Sequence, residues 1–210
     1  MKNYAVLIVF LLAMQISAQS DVKKKFQKNR YDLAVSYYKK LDYTKAIDLF
    51  FLAYKIDPQS PIGLESNHIV DTLKTILRKE LVEKVVGTWK KTGDQPSWTT
   101  TEKSKVVNAE KEELIVVTAD KIVFYEYDLK TKTRKLIKSE DLVFYDKEDL
   151  NGLFCEIVLS DKTIWSYILK DMDKTLRVVC FGKETEQGTE KIVSDNPEIY
   201  YERVKPADSF

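Results

Sequence analysis

The chain has 210 residues, of which 44% are hydrophobic and 32% are charged, with only 6 glycines and 5 prolines. This composition excludes a collagen-like or low-complexity chain, and the hydrophobic fraction is too high for wholesale disorder. The formal net charge of +1 lacks the basic excess that marks a nucleic-acid-binding protein. A chain of this length is expected to form one or two domains.

The first eighteen residues have the order of an export signal. Lys2 supplies a positive charge, an unbroken apolar run extends from Ala5 to Ala13, and small and polar residues follow up to Ala18. A membrane-spanning helix needs about 20 apolar residues, and this run is shorter. We therefore expect residues 1–18 to be a cleaved signal peptide of a protein exported to the periplasm or the extracellular space. Since no cysteine stands near the expected cut, we do not expect a lipoprotein.

The remaining chain changes character near residue 84. Residues 19–84 have helical periodicity, and Pro61 to Lys84 reads as a third helix that covers a helical hairpin. Residues 85–210 consist of short runs rich in Val, Ile, Tyr and Phe, separated by turn signals, and strands are predicted over 121–128, 153–160 and 163–170 among others. Helices followed by strands predict an α+β chain with two segregated modules, the second of them an antiparallel β-barrel.

The helical module contains one motif of small and large residues at fixed spacing. Small residues allow two helices to approach, aromatic residues fill the space between them, and a proline ends the second helix. The residues of the motif are Ala34, Tyr37, Ala46, Phe50, Ala53 and Pro58. This motif resembles a single tetratricopeptide repeat, with Arg30 in place of an aromatic residue. The resemblance implies a surface that docks a peptide or protein, and a spacer that holds the second module off a surface is the alternative.

The second module begins with Gly87-Thr88-Trp89 directly after the third helix, and Arg203 lies in its last predicted strand. A Gly-x-Trp sequence at the start of the first strand resembles the lipocalin-like, or calycin, barrels. The resemblance implies that Arg203 packs over Trp89 in a cation–π contact.

A lipocalin-like barrel also implies a small apolar or amphipathic ligand inside it. Trp165 and Tyr167 alternate along a predicted strand, where they line either a pocket or a solid core, and Trp98 is expected in a loop at one barrel mouth. We take these three residues as the candidate ligand-binding residues. A barrel filled with side chains is the alternative, because small barrels are commonly filled.

The two cysteines are expected to be free thiols. The predicted strand pairing sets Cys155 opposite residue 167 or 168, and that position opposite residues 176–178. Cys180 is then two strand spacings from Cys155, roughly 9–10 Å. A disulfide needs Cα atoms within about 7 Å of each other.

Catalytic motifs are missing from the sequence. The chain has one histidine, His68, and it has no nucleophile elbow, phosphate-binding loop or metal-ligand spacing. We therefore predict a non-catalytic protein with no cofactor, metal, nucleic-acid partner or stable membrane insertion. The leading hypothesis is a secreted binding protein whose barrel holds a small ligand and whose helical module docks a partner. The alternative is an envelope protein-interaction or assembly factor with a solid barrel.

Overall fold

A computed structural model describes residues 2–93, 110–147, 152 and 154–204, with side chains from residue 21 onwards. Within these residues, three helices precede an antiparallel sheet of ten strands, so the predicted α+β class is confirmed. The chain divides into two compact units, Met1–Leu77 and Arg78–Phe210, and the division falls inside the third helix.

The first unit is a helical hairpin followed by a third helix. Its elements are α1 (Lys2–Lys39), α2 (Tyr43–Ile56) and α3 (Pro61–Val85), the last of which continues into the second unit. Asp42 caps α2, because its carboxylate accepts a hydrogen bond from the backbone N–H of Lys45 at 3.3 Å. The turn after α1, helix α2 and helix α3 lie where the sequence predicts them, whereas α1 extends back to Lys2, well before the predicted repeat.

Small residues lie where α1 and α2 cross. Ala34, Ala46 and Ala53 are completely buried, and the Phe50 ring beside them meets the Tyr31 ring edge-on with centroids 5.5 Å apart. A buried amide, that of Gln27, donates to the carbonyls of Ala53 and Asp57 and accepts from the Ser60 hydroxyl. These hydrogen bonds fix the position of α1 against the end of α2.

The second unit is one antiparallel sheet with the order β4-β3-β2-β1-β10-β8-β7-β6-β5, and β9 pairs with β8. Its strands are β1 (Gly87–Gly93), β2 (Lys111–Val117), β3 (Lys121–Asp128), β4 (Thr133–Asp141), β5 (Val143–Phe144), β6 (Ile157–Val158), β7 (Thr163–Lys170), β8 (Thr175–Thr185), β9 (Gly188–Lys191) and β10 (Glu198–Arg203).

The predicted closed barrel is not confirmed, because the hydrogen-bonded order of the described strands has two ends, β4 and β5. These two strands are consecutive in the chain and are separated by Leu142 alone. At the end of β4, the buried carboxylate of Glu140 accepts hydrogen bonds from the backbone N–H and the hydroxyl of Ser160, in the turn after β6. The Glu140 side chain therefore links β4 to the turn after β6, where the described residues form no ladder of backbone hydrogen bonds.

Large side chains fill the inner face of the sheet. Each of the core positions is at least nine-tenths buried, and α3 contributes one of them at its last residue. The core consists of Val85, Trp89, Ile115, Val117, Ile122, Ile157, Leu159, Tyr167, Leu176, Val178 and Tyr201. Because these residues come from seven strands, the end of one helix and the turn after β6, the second unit has a single continuous hydrophobic core.

The register of β7 and β8 agrees with the predicted pairing. Tyr167 lies opposite Val178, and Cys180 lies opposite Trp165. Both cysteines are free thiols, Cys180 buried and Cys155 half-buried.

Candidate functional site

Trp89 and Arg203 lie opposite each other on the paired strands β1 and β10. The guanidinium carbon of Arg203 is 4.2 Å from the centroid of the Trp89 indole, the contact that the lipocalin resemblance implies. The indole N–H donates to the carbonyl of Val85 at 2.7 Å. The ring is thus held on its face by a cation and at its edge by the end of α3.

Gly87 leaves the space that Arg203 occupies. Its φ of +140° is rarely adopted by residues with a side chain, and a Cβ at this position would lie 3.0 Å from a guanidinium nitrogen of Arg203. Gly87 and Arg203 therefore belong to one local arrangement, because the absence of a side chain at Gly87 leaves room for the Arg203 guanidinium.

Arg203 also joins three segments of the backbone. Its guanidinium donates to the carbonyls of Lys84 and Val86 at the end of α3, and to the carbonyl of Asp173 at 3.1 Å. Asp173 belongs to the β7–β8 turn, where it and the two residues before it all have positive φ. Non-glycine residues adopt such angles at a cost in free energy, and the hydrogen bond from Arg203 to the Asp173 carbonyl helps to offset that cost. Arg203 therefore has a structural role, because it connects the last strand to the end of α3 and to the β7–β8 turn.

The two inner-face candidates that the structure describes lie in the core of the sheet. Tyr167 is 6% exposed, and burial raises the pKa of its phenol well above the ordinary value, with further contributions from Tyr201 and Glu140. Trp165 packs against the same core while its indole N–H donates to the Thr163 hydroxyl at 2.7 Å. Trp98, the third candidate, lies outside the described residues.

Arg78 has a role that sequence reasoning missed. It donates to the carbonyls of Phe154 and Tyr145 at 2.7 and 2.8 Å, and to the Asp146 carboxylate at 3.0 Å. Its guanidinium carbon lies 4.9 Å from the centroid of the Phe144 ring. Arg78 thereby fastens the last turns of α3 to the segments that flank β5 and β6. Its signal in the sequence is weak, because its partners follow it by 67 to 76 positions.

Near Arg78, the thiol of Cys155 is unsuited to nucleophilic chemistry. Burial and the neighbouring Glu156 carboxylate raise the pKa of this thiol to about 12. Burial also raises the pKa of Glu156, which accepts hydrogen bonds from the Cys155 N–H and the Ser166 hydroxyl. His68 is exposed on α3, in the first unit.

A cleft of about 540 Å³ lies at the β8–β9 hairpin, and neither Trp165 nor Tyr167 lines it. Its lining residues are Thr185, Glu186, Gln187, Thr189 and Glu190. This polar lining lacks the apolar side chains that usually bind a small apolar ligand. In the part of the chain that the structure describes, no three His, Cys, Asp or Glu side chains lie close enough to hold a metal ion.

The repeat-like residues lie together in the first unit. Tyr37 is half-buried, with the ammonium groups of Lys40 and Lys45 at 5.8 and 5.3 Å from its ring centroid, and Pro58 follows the end of α2. Arg30, at the position that departs from the repeat pattern, places its guanidinium carbon 4.6 Å from the centroid of the Phe26 ring. Its Nε is buried and has no hydrogen-bond partner in the described residues.

Comparison of the chain with family models, with curated proteins and with solved structures gives no match. No helix in the described residues has the length and apolar character needed to cross a bilayer.

Proposed function

We propose that this chain is an exported, non-catalytic protein-interaction or assembly factor, in which the helical unit docks a partner and the sheet is a packed support. The observation that carries the proposal is an apolar face on α1. Val22, Phe26 and Leu33 are 70%, 43% and 40% exposed. At about 100° per residue they fall within roughly 40° of arc, so they form one stripe along the helix.

Charge distinguishes this stripe from an ordinary exposed surface. At about 100° per residue, Lys23 and Lys25 flank the stripe on its two sides, and Arg30 lies over the Phe26 ring. Apolar side chains beside cations favour a partner segment that is itself apolar and acidic, because complementary charge speeds encounter and apolar burial supplies affinity.

The packing of the sheet supports this function over storage of a ligand. Trp165 and Tyr167, which the sequence placed in either a pocket or a solid core, contribute to the hydrophobic core of the described residues. A filled interior is what the assembly-factor alternative requires.

A second candidate function, binding of a small amphipathic ligand, is favoured by one observation. Tyr167 is 6% exposed at the hydrophobic core, and Tyr201 and Glu140 lie close enough to its hydroxyl to influence its pKa. A buried hydroxyl of this kind is a natural anchor for the polar end of a ligand.

Native mass spectrometry of the protein purified from its own envelope tests both candidates. The double variant Phe26→Asp/Leu33→Asp removes the α1 stripe, and Met172→Asp/Val193→Asp is the matched control, because Met172 and Val193 are 94% and 95% exposed in the other unit. The proposal expects a defined partner protein with the wild type and the control but not with the stripe variant. A small molecule retained by all three proteins and released on denaturation would instead support the second candidate, and no added mass in any sample would contradict both.

A further inference from the structure

The β3–β4 hairpin carries the densest run of positive charge in the second unit. Residues 130–139 contain five cations and no carboxylate, in a unit whose other segments mix both signs. The five cations are Lys130, Lys132, Arg134, Lys135 and Lys138. Every residue of β4 from Thr133 to Ser139 is exposed, so both faces of this strand are open to solvent.

Large apolar side chains are exposed in the same hairpin. Leu129, at the turn, is 40% exposed, and Leu136 and Ile137, in the middle of β4, are each 57% exposed. Apolar side chains interspersed with lysines and arginines are typical of segments that bind the interface of an anionic membrane.

The tip of the hairpin is ordered by its own hydrogen bonds. The Asp128 carboxylate accepts from the backbone N–H groups of Lys130 and Thr131, each at 2.8 Å, and these two bonds lower its pKa. Lys132 then takes a positive φ of 54°, which turns the chain into β4. The cations of the tip are therefore presented on a defined turn.

The edge of β4 is poorly suited to pairing with another strand. Within the described sheet β4 pairs with β3 alone, and its register shifts opposite Phe124 and Tyr125, which leaves Ile137 as an extra residue. A bulge of this kind interrupts the regular ladder that an added strand needs. In an antiparallel pair of two copies centred on the exposed part of this strand, Thr133 to Ser139, Arg134 of one copy would face Lys138 of the other, and like charges opposite each other are unfavourable.

Unlike an added strand, a planar anionic surface can bind the hairpin without matching the register of β4. We propose that the β3–β4 hairpin, residues 128–139, binds peripherally to an anionic phospholipid bilayer. Lys132, Arg134 and Lys135 lie against the lipid phosphates, next to Lys130 and Lys138, which also contact Glu110 and Glu140. Leu136 and Ile137 enter the boundary between headgroups and acyl chains. The binding is superficial, involves no spanning segment, and is independent of the docking function proposed for α1.

The test is co-sedimentation of the full chain with vesicles of phosphatidylcholine containing one-third phosphatidylglycerol. We expect binding to these vesicles, little binding to pure phosphatidylcholine, and release when salt is raised from about 0.1 M to about 1 M. Lys130→Glu/Lys132→Glu/Lys135→Glu should weaken the partition coefficient about 100-fold or more, on the order of fivefold for each cation lost. The control Lys170→Glu/Lys174→Glu/Lys183→Glu changes the charge of the same unit equally, at exposed positions outside the hairpin.

The apolar contribution has its own pair of variants. Leu136→Ser/Ile137→Ser should weaken binding about tenfold, whereas Val193→Ser should leave it unchanged. Circular dichroism of each variant establishes that its fold is retained. Equal loss of binding in the hairpin triple variant and its control would overturn the proposal. Equal binding to the two kinds of vesicle would also overturn it. No binding to either kind of vesicle would overturn it too, and that result is expected if the hairpin instead binds an acidic protein.

Discussion

The Arg203 guanidinium lies 4.2 Å from the centroid of the Trp89 indole, across a strand pair whose members are more than a hundred residues apart in the chain. The same guanidinium donates to backbone carbonyls of α3 and of the β7–β8 turn. The Arg203 side chain therefore joins the first strand, the last strand and the end of the third helix.

A double-mutant cycle should detect this coupling. Trp89→Ala removes a fully buried aromatic side chain and should cost about 3–5 kcal/mol of unfolding free energy. Arg203→Ala should cost about 2–3 kcal/mol, because both the cation–π contact and hydrogen bonds to carbonyls are lost. The double variant should cost about 1 kcal/mol less than the sum. Denaturant unfolding measures all four proteins, and strict additivity would show that the two residues do not interact.

The hairpin crossing should not tolerate a larger residue. Ala53 is completely buried between α1 and α2, so Ala53→Leu should overpack the crossing and cost about 1–3 kcal/mol. Thermal unfolding followed by circular dichroism at the helix band measures the loss. Leu52→Ala, at the exposed neighbouring position, is the control and should have a much smaller effect. An unchanged midpoint for Ala53→Leu would refute the close helix crossing.

Removal of the Arg78 side chain should destabilise the second unit. Arg78→Ala removes the hydrogen bonds that Arg78 donates to two backbone carbonyls and to the Asp146 carboxylate. The expected loss of unfolding free energy is about 2–3 kcal/mol. Lys79→Ala, whose exposed ammonium is 3.9 Å from Glu83, should change stability by less than about 0.5 kcal/mol. Chemical unfolding monitored by tryptophan fluorescence compares the two. A similar small effect for both would mean that α3 is not anchored through Arg78.

Glu140 should make the stability of the sheet depend on pH. Burial alone would raise the pKa of this carboxyl, but hydrogen bonds from Ser160 and Lys138 outweigh it and hold the pKa below its ordinary value. The stabilisation from the ionised group is therefore complete above the unfolded pKa of about 4.3 and is lost as the pH falls through the lower folded pKa.

The matching experiment measures the free energy of unfolding by denaturant between neutral and acidic pH. At pH 7 the unfolding free energy of the wild type should exceed that of Glu140→Gln by about 2 kcal/mol, the value of one hydrogen bond to a charged acceptor, because the amide oxygen can still accept the other. The difference should shrink once Glu140 is protonated. Asp141→Asn is the control, because this exposed side chain makes only a surface ion pair with Lys121 at 3.3 Å. A difference that does not change with pH would mean that the ionised carboxylate does not hold Ser160.

The elements with strong periodicity were predictable from the sequence. β3 and β7 have the predicted bounds, and α3 ends one residue later than expected, at Val85. β9 was missed because Gly188–Lys191 has no apolar alternation, and it forms by pairing with the extension of β8. The strand predicted over 153–160 is reduced to Ile157–Val158 in the described residues, because the chain before it bends where Arg78 binds the Phe154 carbonyl.

The candidate site was predictable only where a motif had a local signature. The approach of Arg203 to Trp89 followed from the Gly-x-Trp pattern, and Gly87 is explained by the same geometry. The roles of Arg78 and Glu140 depend on partners that fold near them from distant positions, and a single sequence does not reveal such partners. Likewise, alternation along β7 placed Trp165 and Tyr167 on one face, but it did not distinguish a pocket from a packed core.

The central claim, that the α1 stripe docks a partner protein, is tested most directly by site-specific photo-crosslinking in the native envelope. A benzophenone side chain replaces Leu33, which is 40% exposed on the stripe, or Val193, which is 95% exposed in the other unit. The account predicts one discrete crosslinked product from position 33, lost when Phe26→Asp is added, and no such product from position 193. No product from position 33, or the same products from both positions, would contradict it.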